Sequence, residues 1–481
     1  MKITVSLLMC FISIISAEAQ ESWSLERCVK HAVDNNLTIQ QANISVENAK
    51  ISLSDSKQSR NPNLNGNASA FWNFGRTVDP TTNEFINTNF FSNNFGLNSN
   101  AILWNGSRIK NSIKQSKVDI EAAEQDLEQE KQNTSLVVAT NFLNILFAKE
   151  NIDISERQLL LNQQQLNQLN KRIKAGASPV SEKLNLEAQI AQSEQALVAS
   201  KNTLEIAYLN LKQSLQLDPS SMIEIEVPDN IEVDTDPDMI SFDEAFELAK
   251  SNRPDLIATE LRRQSADIGI DIAKSGYYPT LSIAGSLGTT YSNQGRTITG
   301  FRSETLESVV NLSSQSPPLM FSDVPVTISS VNDMIPIVEK QAYTDQLDQN
   351  TSYGFGFSLN VPIYNRGAVN NNVARAKLGA TSNSITHELL MNNLKITVQQ
   401  SIADARGAKK QLEASTKTVE AQKLALENTA KRLEIGAANS FEWETQKTNL
   451  ENAEINALID KYNYLFSIKT LEFYLGKPLK L

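Results

Sequence analysis

The sequence predicts an α+β membrane protein: transmembrane strands that several chains share in one β-barrel, long coiled-coil helices outside the membrane, and an internal tandem repeat. Three observations carry this reading. Long stretches lack both Gly and Pro, four short segments alternate apolar and polar residues with little charge, and the same order of elements occurs twice.

Composition narrows the function first. The 481 residues include only 18 Gly and 14 Pro, which favours long uninterrupted elements over several globular domains. Two histidines (His31, His387) and two cysteines (Cys10, Cys28) leave little material for a His/Cys metal site or a cysteine–histidine catalytic pair. The seven methionines are scattered, so no copper or silver signal emerges. The expectation is no enzyme, no cofactor and no metal. A net charge of −11 also lacks the basic stripe that binding of nucleic acid requires.

Residues 1–19 read as a signal peptide, with Lys2 before an apolar Ile3–Ser16 and small residues in Ala17-Glu18-Ala19. A lipoprotein reading at Cys10 is weaker, because Met9 stands where a small residue is usual. Removal of the leader leaves Cys28 alone, so no intrachain disulfide is expected. No later apolar run reaches the ~18–20 residues of a spanning helix. An exported chain of this kind crosses a membrane only as strands.

The repeat is direct. Trp23 through Leu64 superimposes on Ile240 through Leu281 at an offset of 217, pairing Ala32 with Ala249, Asn35 with Asn252 and Pro62 with Pro279. Lys171 through Gly176 then matches Lys431 through Gly436 at an offset of 260, so 43 residues are inserted between Tyr291 and Tyr353. Repeat 1 covers 20–214, an acidic linker 215–241 and repeat 2 242–481, with the insertion at 292–352. Each repeat predicts a short helix, a medium helix, a strand, a loop, a strand and a long helical hairpin.

The long helices carry the clearest signal. Ser107 to Lys174 contains neither Gly nor Pro, a length that at ~1.5 Å per residue spans roughly 100 Å. Apolar residues recur every seventh position, as Ile113, Ile120, Leu127, then after a slip Ile145, Ile152, Leu159, Leu166 and Ile173. The return helix repeats this with Ile190, Leu197, Leu204 and Leu211, and the second half with Val419, Leu426, Leu433 and with Leu450, Ala457, Tyr464, Leu471. Sustained heptads specify coiled-coil packing.

The four strands are expected near 63–74, 91–104, 280–291 and 353–363. In the first, Leu64, Gly66, Ala68, Ala70, Trp72 and Phe74 oppose Asn63, Asn65, Asn67, Ser69, Phe71 and Asn73. In the fourth, Tyr353, Phe355, Phe357, Leu359 and Val361 oppose Gly354, Gly356, Ser358 and Asn360. An uncharged polar face fits a watery lumen opposite lipid. Four strands cannot close a barrel, and an open edge in lipid leaves backbone groups unsatisfied, so several chains share one barrel.

These features resemble the TolC-like outer membrane efflux family over nearly the whole mature chain. The matching motifs are Pro62 and Pro279 at strand starts, the exits Trp104-Asn105-Gly106 and Tyr364-Asn365-Arg366-Gly367, and the Arg-x-x-x-Gly turns at Arg172–Gly176 and Arg432–Gly436. The resemblance implies a homotrimer with a 12-stranded barrel in outer membrane lipid. It further implies a periplasmic helical tunnel closed at its inner tip, in a Gram-negative-type bacterium. The partners it implies are a periplasmic adaptor and an inner-membrane transporter. An exported structural coiled coil is the alternative function; it accounts for the heptads and leaves the strands unexplained.

The hairpin tips near 176 and 436 are the candidate site. Gly176 and Gly436 suit helix ends, Ser178-Pro179 reads as cap and first turn of one return helix, and Asn439 with Glu442 as a capping box for the other. Glu182 and Glu442 are either cap carboxylates or, tripled, an acidic ring at a tunnel entrance. Arg172 and Arg432 are either packing residues or adaptor contacts. The family resemblance implies acidic residues at this spacing that help hold the tip closed, whereas Ala438 stands where a basic gate residue is expected. The linker 215–241 reads as a solvated connection, and His31 and His387 as surface or packing residues.

Overall fold

The computed structural model describes residues 22–78, 83, 85–87, 89–176, 178–228, 235–311 and 325–477. The expected leader with Cys10 lies outside the described residues, as do residues 229–234 of the acidic linker. The first repeat runs α1 (Leu25–Asn35), α2 (Leu37–Gln58), β1 (Asn63–Asn73), β2 (Arg76–Val78), β3 (Phe85–Asn87), β4 (Phe90–Trp104), α3 (Arg108–Lys174) and α4 (Val180–Ser214). The second runs α5 (Phe242–Asn252), α6 (Pro254–Lys274), β5 (Thr280–Ser292), β6 (Arg296–Asn311), β7 (Pro325–Lys340), α7 (Tyr343–Gln349), β8 (Ser352–Asn360), α8 (Ala368–Glu434) and α9 (Ser440–Tyr474). The duplication is visible in length: α3 and α8 each have 67 residues, α4 and α9 each 35.

The chain divides into two units. One comprises residues 1–53, 114–270 and 374–481, the other 54–113 and 271–373. No helix among the described residues is long and apolar enough to cross a membrane.

The helical unit holds two buried clusters. Around α1, α3 and α4 lie Cys28, Ala32, Val138, Phe142, Leu211 and Leu215. Around α5, α8 and α9 lie Ala245, Ala249, Val398, Ile402, Leu471 and Leu475. These are the same positions at offsets of 217 and 260, so one core has been built twice. The fully buried Cys28 stands where the second repeat has Ala245, and burial pushes its thiol up to about 12, which marks it as packing rather than reactive. Helices α1 and α5 start alike, with Ser24 Oγ accepting from Arg27 N at 3.3 Å and Ser241 Oγ from Glu244 N at 3.2 Å.

In the strand unit one antiparallel sheet has the order β1-β4-β5-β8. Its register carries both expected faces across all four strands. Gly66 sits opposite Leu97, Leu97 opposite Leu287, and Leu287 opposite Tyr353; Asn67 sits opposite Gly96, Asn98 opposite Ser286, and Ser286 opposite Gly354. Residues β8 contributes to the apolar face are open to the surroundings, Phe355 at 83% exposure among them. The sheet ends at Asn360, three residues short of the expected strand. The inserted segment is also more regular than a loop, because β6 pairs with β7 along most of its length and α7 follows.

The acidic linker is corrected in part. Leu215 and Ile225 are buried, Asp236 and Asp238 both pair with Lys409 at 2.8 and 2.7 Å, and Thr235 Oγ1 donates to Glu472 at 2.8 Å. Hydrophobic and ionic partners outside the linker explain why its composition misled.

Each strand-to-helix exit contains two successive left-handed residues: Gly106 and Ser107 at φ 64° and 67°, Arg366 and Gly367 at 54° and 75°. Glycine therefore changes place between the repeats. A Cβ on Gly106 would sit 2.7 Å from Tyr278 Cβ and 2.9 Å from the Ser275 carbonyl, whereas one on Gly367 meets nothing within 4 Å. We expect Gly367→Ala to cost about 1–2 kcal/mol for its backbone alone and Gly106→Ala to cost clearly more. Thermal unfolding of the detergent-solubilised protein measures both, and equal losses would show that Tyr278 yields without resistance.

Candidate functional site: the hairpin tips and their polar seam

Both tips lie in the helical unit. At the second, α8 ends in a glycine-stopped turn: Gly436 N donates to Leu433 O at 3.2 Å and Ala437 N to Arg432 O at 2.7 Å, with Gly436 at φ 75°. That is the two-bond closure that a left-handed glycine permits after a helix. Gly176, at φ 76°, donates to Ile173 O at 2.9 Å in the same way.

The return helices start differently. Asn439 Oδ1 accepts from Glu442 N at 2.8 Å, as expected for a cap. The Glu442 carboxylate does not complete a capping box: it accepts from Arg432 Nη2 at 3.3 Å, and the same Nη2 donates to Ala437 O at 3.1 Å. Arg432 thus braces the turn it precedes. Ser178 is not the cap of α4; Pro179 holds that position, with no side-chain cap bond. Proline has no side-chain acceptor to offer, and the first turn closes through Glu182 N donating to the Pro179 carbonyl at 3.3 Å. Arg172 and Glu182 form no matching pair among the described residues, and Glu182 Oε2 is a buried atom with no hydrogen-bond partner. The structure therefore brings together Arg432, Gly436 and Glu442, and leaves Arg172 and Glu182 apart.

Two to three helical turns from the tip lies a group that periodicity reasoning passed over. Lys447 on α9 is 4% exposed and donates to Asn162 Oδ1 on α3; Asn162 Nδ2 in turn donates to Ser193 Oγ on α4 at 2.7 Å. Lys447 Nζ is 3.4 Å from Glu451 Oε1, an ion pair outside hydrogen-bonding geometry. Burial pushes the Glu451 carboxyl above its ordinary range against the pull of Lys447. Farther along, Glu150 Oε1 accepts from Lys461 Nζ at 2.7 Å and from the Tyr462 hydroxyl at 3.0 Å. Burial and Glu150 both push the Tyr462 phenol up. Lys447 and Lys461 are two heptads apart and in phase with the fully buried Ile468. Lys447 at the heptad phase of Ile468 was the available signal.

The geometry belongs to a recognisable group. The family model described as outer membrane efflux protein matches residues 28–215 and 330–477. The chain belongs to the outer membrane efflux protein family. The cation efflux system protein CusC of Escherichia coli O157:H7 is 23% identical over 280 residues, 55% of each chain, so the match spans about half of that relative's length. The outer membrane efflux protein BepC of Brucella suis biovar 1 is 18% identical over 435 residues, 89% of this chain and 80% of that one. Among solved structures, CusC superimposes with a TM-score of 0.73 at 16% identity, covering 94% of this chain and 92% of that one. The CmeC outer membrane channel of Campylobacter jejuni gives 0.72 at 18% identity, covering 94% and 85%. The fold is thus the α+β, internally repeated fold of outer membrane channels, and the family places the chain in the outer membrane of a Gram-negative-type bacterium.

Because the folded state disfavours the charged Glu451, its contribution to stability is present below the ordinary carboxylate range and is lost as pH rises through the raised value. Glu451→Gln, which mimics the neutral form, is expected to raise thermal stability at pH 7 and to flatten its dependence on pH above that range. Unfolding curves from pH 4 to 8 check this; a lower melting temperature at pH 7 would show that the ion pair with Lys447 outweighs burial.

Proposed function

We propose that the chain is a passive trimeric duct of a tripartite efflux or secretion system, conducting solutes from the periplasm to the exterior. The observation that carries this reading is the open sheet: four strands with one apolar face, one Asn/Ser/Gly face, and unpaired edges at β1 and β8. Three copies joined edge to edge give twelve strands and remove every edge. Family membership and the two 67-residue helices support a periplasmic tunnel continuing from that barrel. Its inner tip opens on engaging an adaptor and an inner-membrane pump. The insertion 292–352 faces the exterior, so protease added to intact cells cuts within it.

The tip is the entrance, with Arg172, Gly176 and Glu182 from one hairpin and Arg432, Gly436 and Glu442 from the other forming the gate and adaptor surface. Three Glu442 carboxylates, each held by its own Arg432, form a ring whose mutual repulsion a cation relieves.

The purified protein is expected to be a trimer by light scattering in detergent; a monomer retaining its strand content would overturn the shared barrel. In planar bilayers, divalent cations should lower single-channel conductance, and Glu442→Gln should weaken that block. Unchanged cation sensitivity in Glu442→Gln would leave Glu442 as a brace for Arg432 alone.

A further inference from the structure

The two repeats differ most where their strands are joined. In the first, β1 and β4 are linked through the short β2–β3 hairpin; in the second, β5 and β8 are linked through a ribbon whose strands β6 and β7 have 16 residues each. At about 3.3 Å per residue such a ribbon extends some 50 Å, and two strands alone are marginally stable in water. The base of the ribbon is nonetheless fixed. Gln346 of α7 is fully buried, accepting from Ser292 N at 3.0 Å and donating to Gln341 O at 3.1 Å. It fills the space where a Cβ on Gly295 would lie, 2.4 Å from its Oε1 atom. Asn293 Oδ1 accepts from Phe91 N at 2.9 Å, and the Tyr291 and Tyr343 rings meet at 4.6 Å.

Just beyond this base one face of the ribbon is apolar. The register sets Ile298 opposite Val338, Phe301 opposite Pro336 and Ser303 opposite Met334, and the bulge between Ile298 and Gly300 keeps all three pairs on one face. Phe301 is 62% exposed and Met334 73%, so a single chain leaves this face uncovered. A contiguous apolar patch of this kind marks an interaction surface.

Strand direction identifies what covers it. Edge strand β8 begins at the end of the sheet where β5 finishes, with Ser352 opposite Gly288, and β1 also finishes there, with Asn73 opposite Phe90. A neighbouring copy that adds its β1 antiparallel to β8 therefore brings its β2–β3 hairpin to the same end, beside this ribbon. That hairpin carries its own uncovered aromatics, Phe74 at 75% and Phe85 at 74% exposure, with the Arg76 guanidinium 5.3 Å over the Phe85 ring. The geometry points to an intersubunit clasp: the apolar face of the β6–β7 ribbon packs on the β2–β3 hairpin of the adjacent copy across the β8–β1 seam. This inference rests on the shared barrel proposed above. It gives the insertion a task, to hold each seam at its outer end.

The test is thiol cross-linking of the full chain in outer membranes with a short-arm bismaleimide, using Phe85→Cys combined with Met334→Cys. Cys28 is buried and does not compete. Covalent dimers and trimers are expected in the double variant and neither in the two single variants. Monomer bands alone, from protein that remains trimeric by light scattering, would overturn the clasp while leaving the shared barrel standing; protein that is not trimeric would overturn both. Separately, Phe301→Ser with Met334→Ser should lower the temperature at which the trimer dissociates, and an unchanged temperature would sink the clasp even where cross-linking succeeds.

Discussion

Every backbone N–H and C=O in hydrocarbon needs a partner from the protein itself, and this requirement organises the strand unit. A β-sheet meets it internally but leaves one row of groups unpaired at each edge, at several kcal/mol per group when lipid surrounds them. With β1 and β8 as edges, the sheet is incomplete as a membrane structure in one chain. The composition of its two faces follows from the same solvent problem. The lipid side takes Leu, Phe, Tyr and small residues, the water side Asn, Ser, Thr and Gly, and neither needs the Lys and Glu of an ordinary half-buried sheet. Small polar side chains keep a lumen wet without fixing counter-charges along it.

Duplication supplies the second constraint. Both repeats build their core from the same positions, with side chains that are larger in the first: Phe142 and Cys28 there stand where the second has Ile402 and Ala245. Divergence is concentrated in polar contacts. Lys447 of the second hairpin is buried against Asn162 of the first, while its repeat-equivalent Glu187 is exposed and pairs with Lys183 at 3.4 Å. Arg432 braces its turn through Glu442, while Arg172 has no such partner among the described residues. Two copies of one hairpin have thus become an asymmetric pair, in which the second docks on the first through specific polar groups.

How much of this the sequence disclosed depends on the range of the interaction. Helix lengths, strand faces and glycine stops are local or periodic, so Ile113 to Leu127, Leu64 to Trp72, and Gly176 and Gly436 declared themselves. The capping of α9 by Asn439 was equally readable, being a contact over three residues. What stayed hidden joins distant segments: Asp236 and Asp238 look solvated until Lys409 is beside them, and Lys447 looks like one more surface lysine until Asn162, itself held by Ser193, accepts from it. Ser178 misled for a different reason. Its residue type fits a cap, but the adjacent Pro179 takes that position. The insertion 292–352 was misjudged as loop because Gly, Pro and Ser in it mask alternation that only cross-strand pairing reveals.

The polar seam bears on how the helical unit holds together. An apolar heptad seam gains stability from area alone and tolerates sliding, whereas a buried polar residue at such a position costs stability unless its exact partners are met. Lys447 with Asn162, Tyr462 with Glu150, and Glu472 with Thr235 are three such conditions along α9. Each is satisfied in one register and orphaned in another, so together they select a single docking of the second hairpin against its neighbours. Near the tip the balance is weakest: Glu451 is held against its preference for the neutral form, and the Arg432–Glu442 pair is half exposed, a class worth only about 0–1 kcal/mol. Toward the other end of α9 the Lys469–Glu472 pair is deeply buried, and breaking a pair of that kind costs about 3–5 kcal/mol. The polar contacts that hold α9 are therefore weakest beside the tip and strongest at its far end, where burial and pairing reinforce each other.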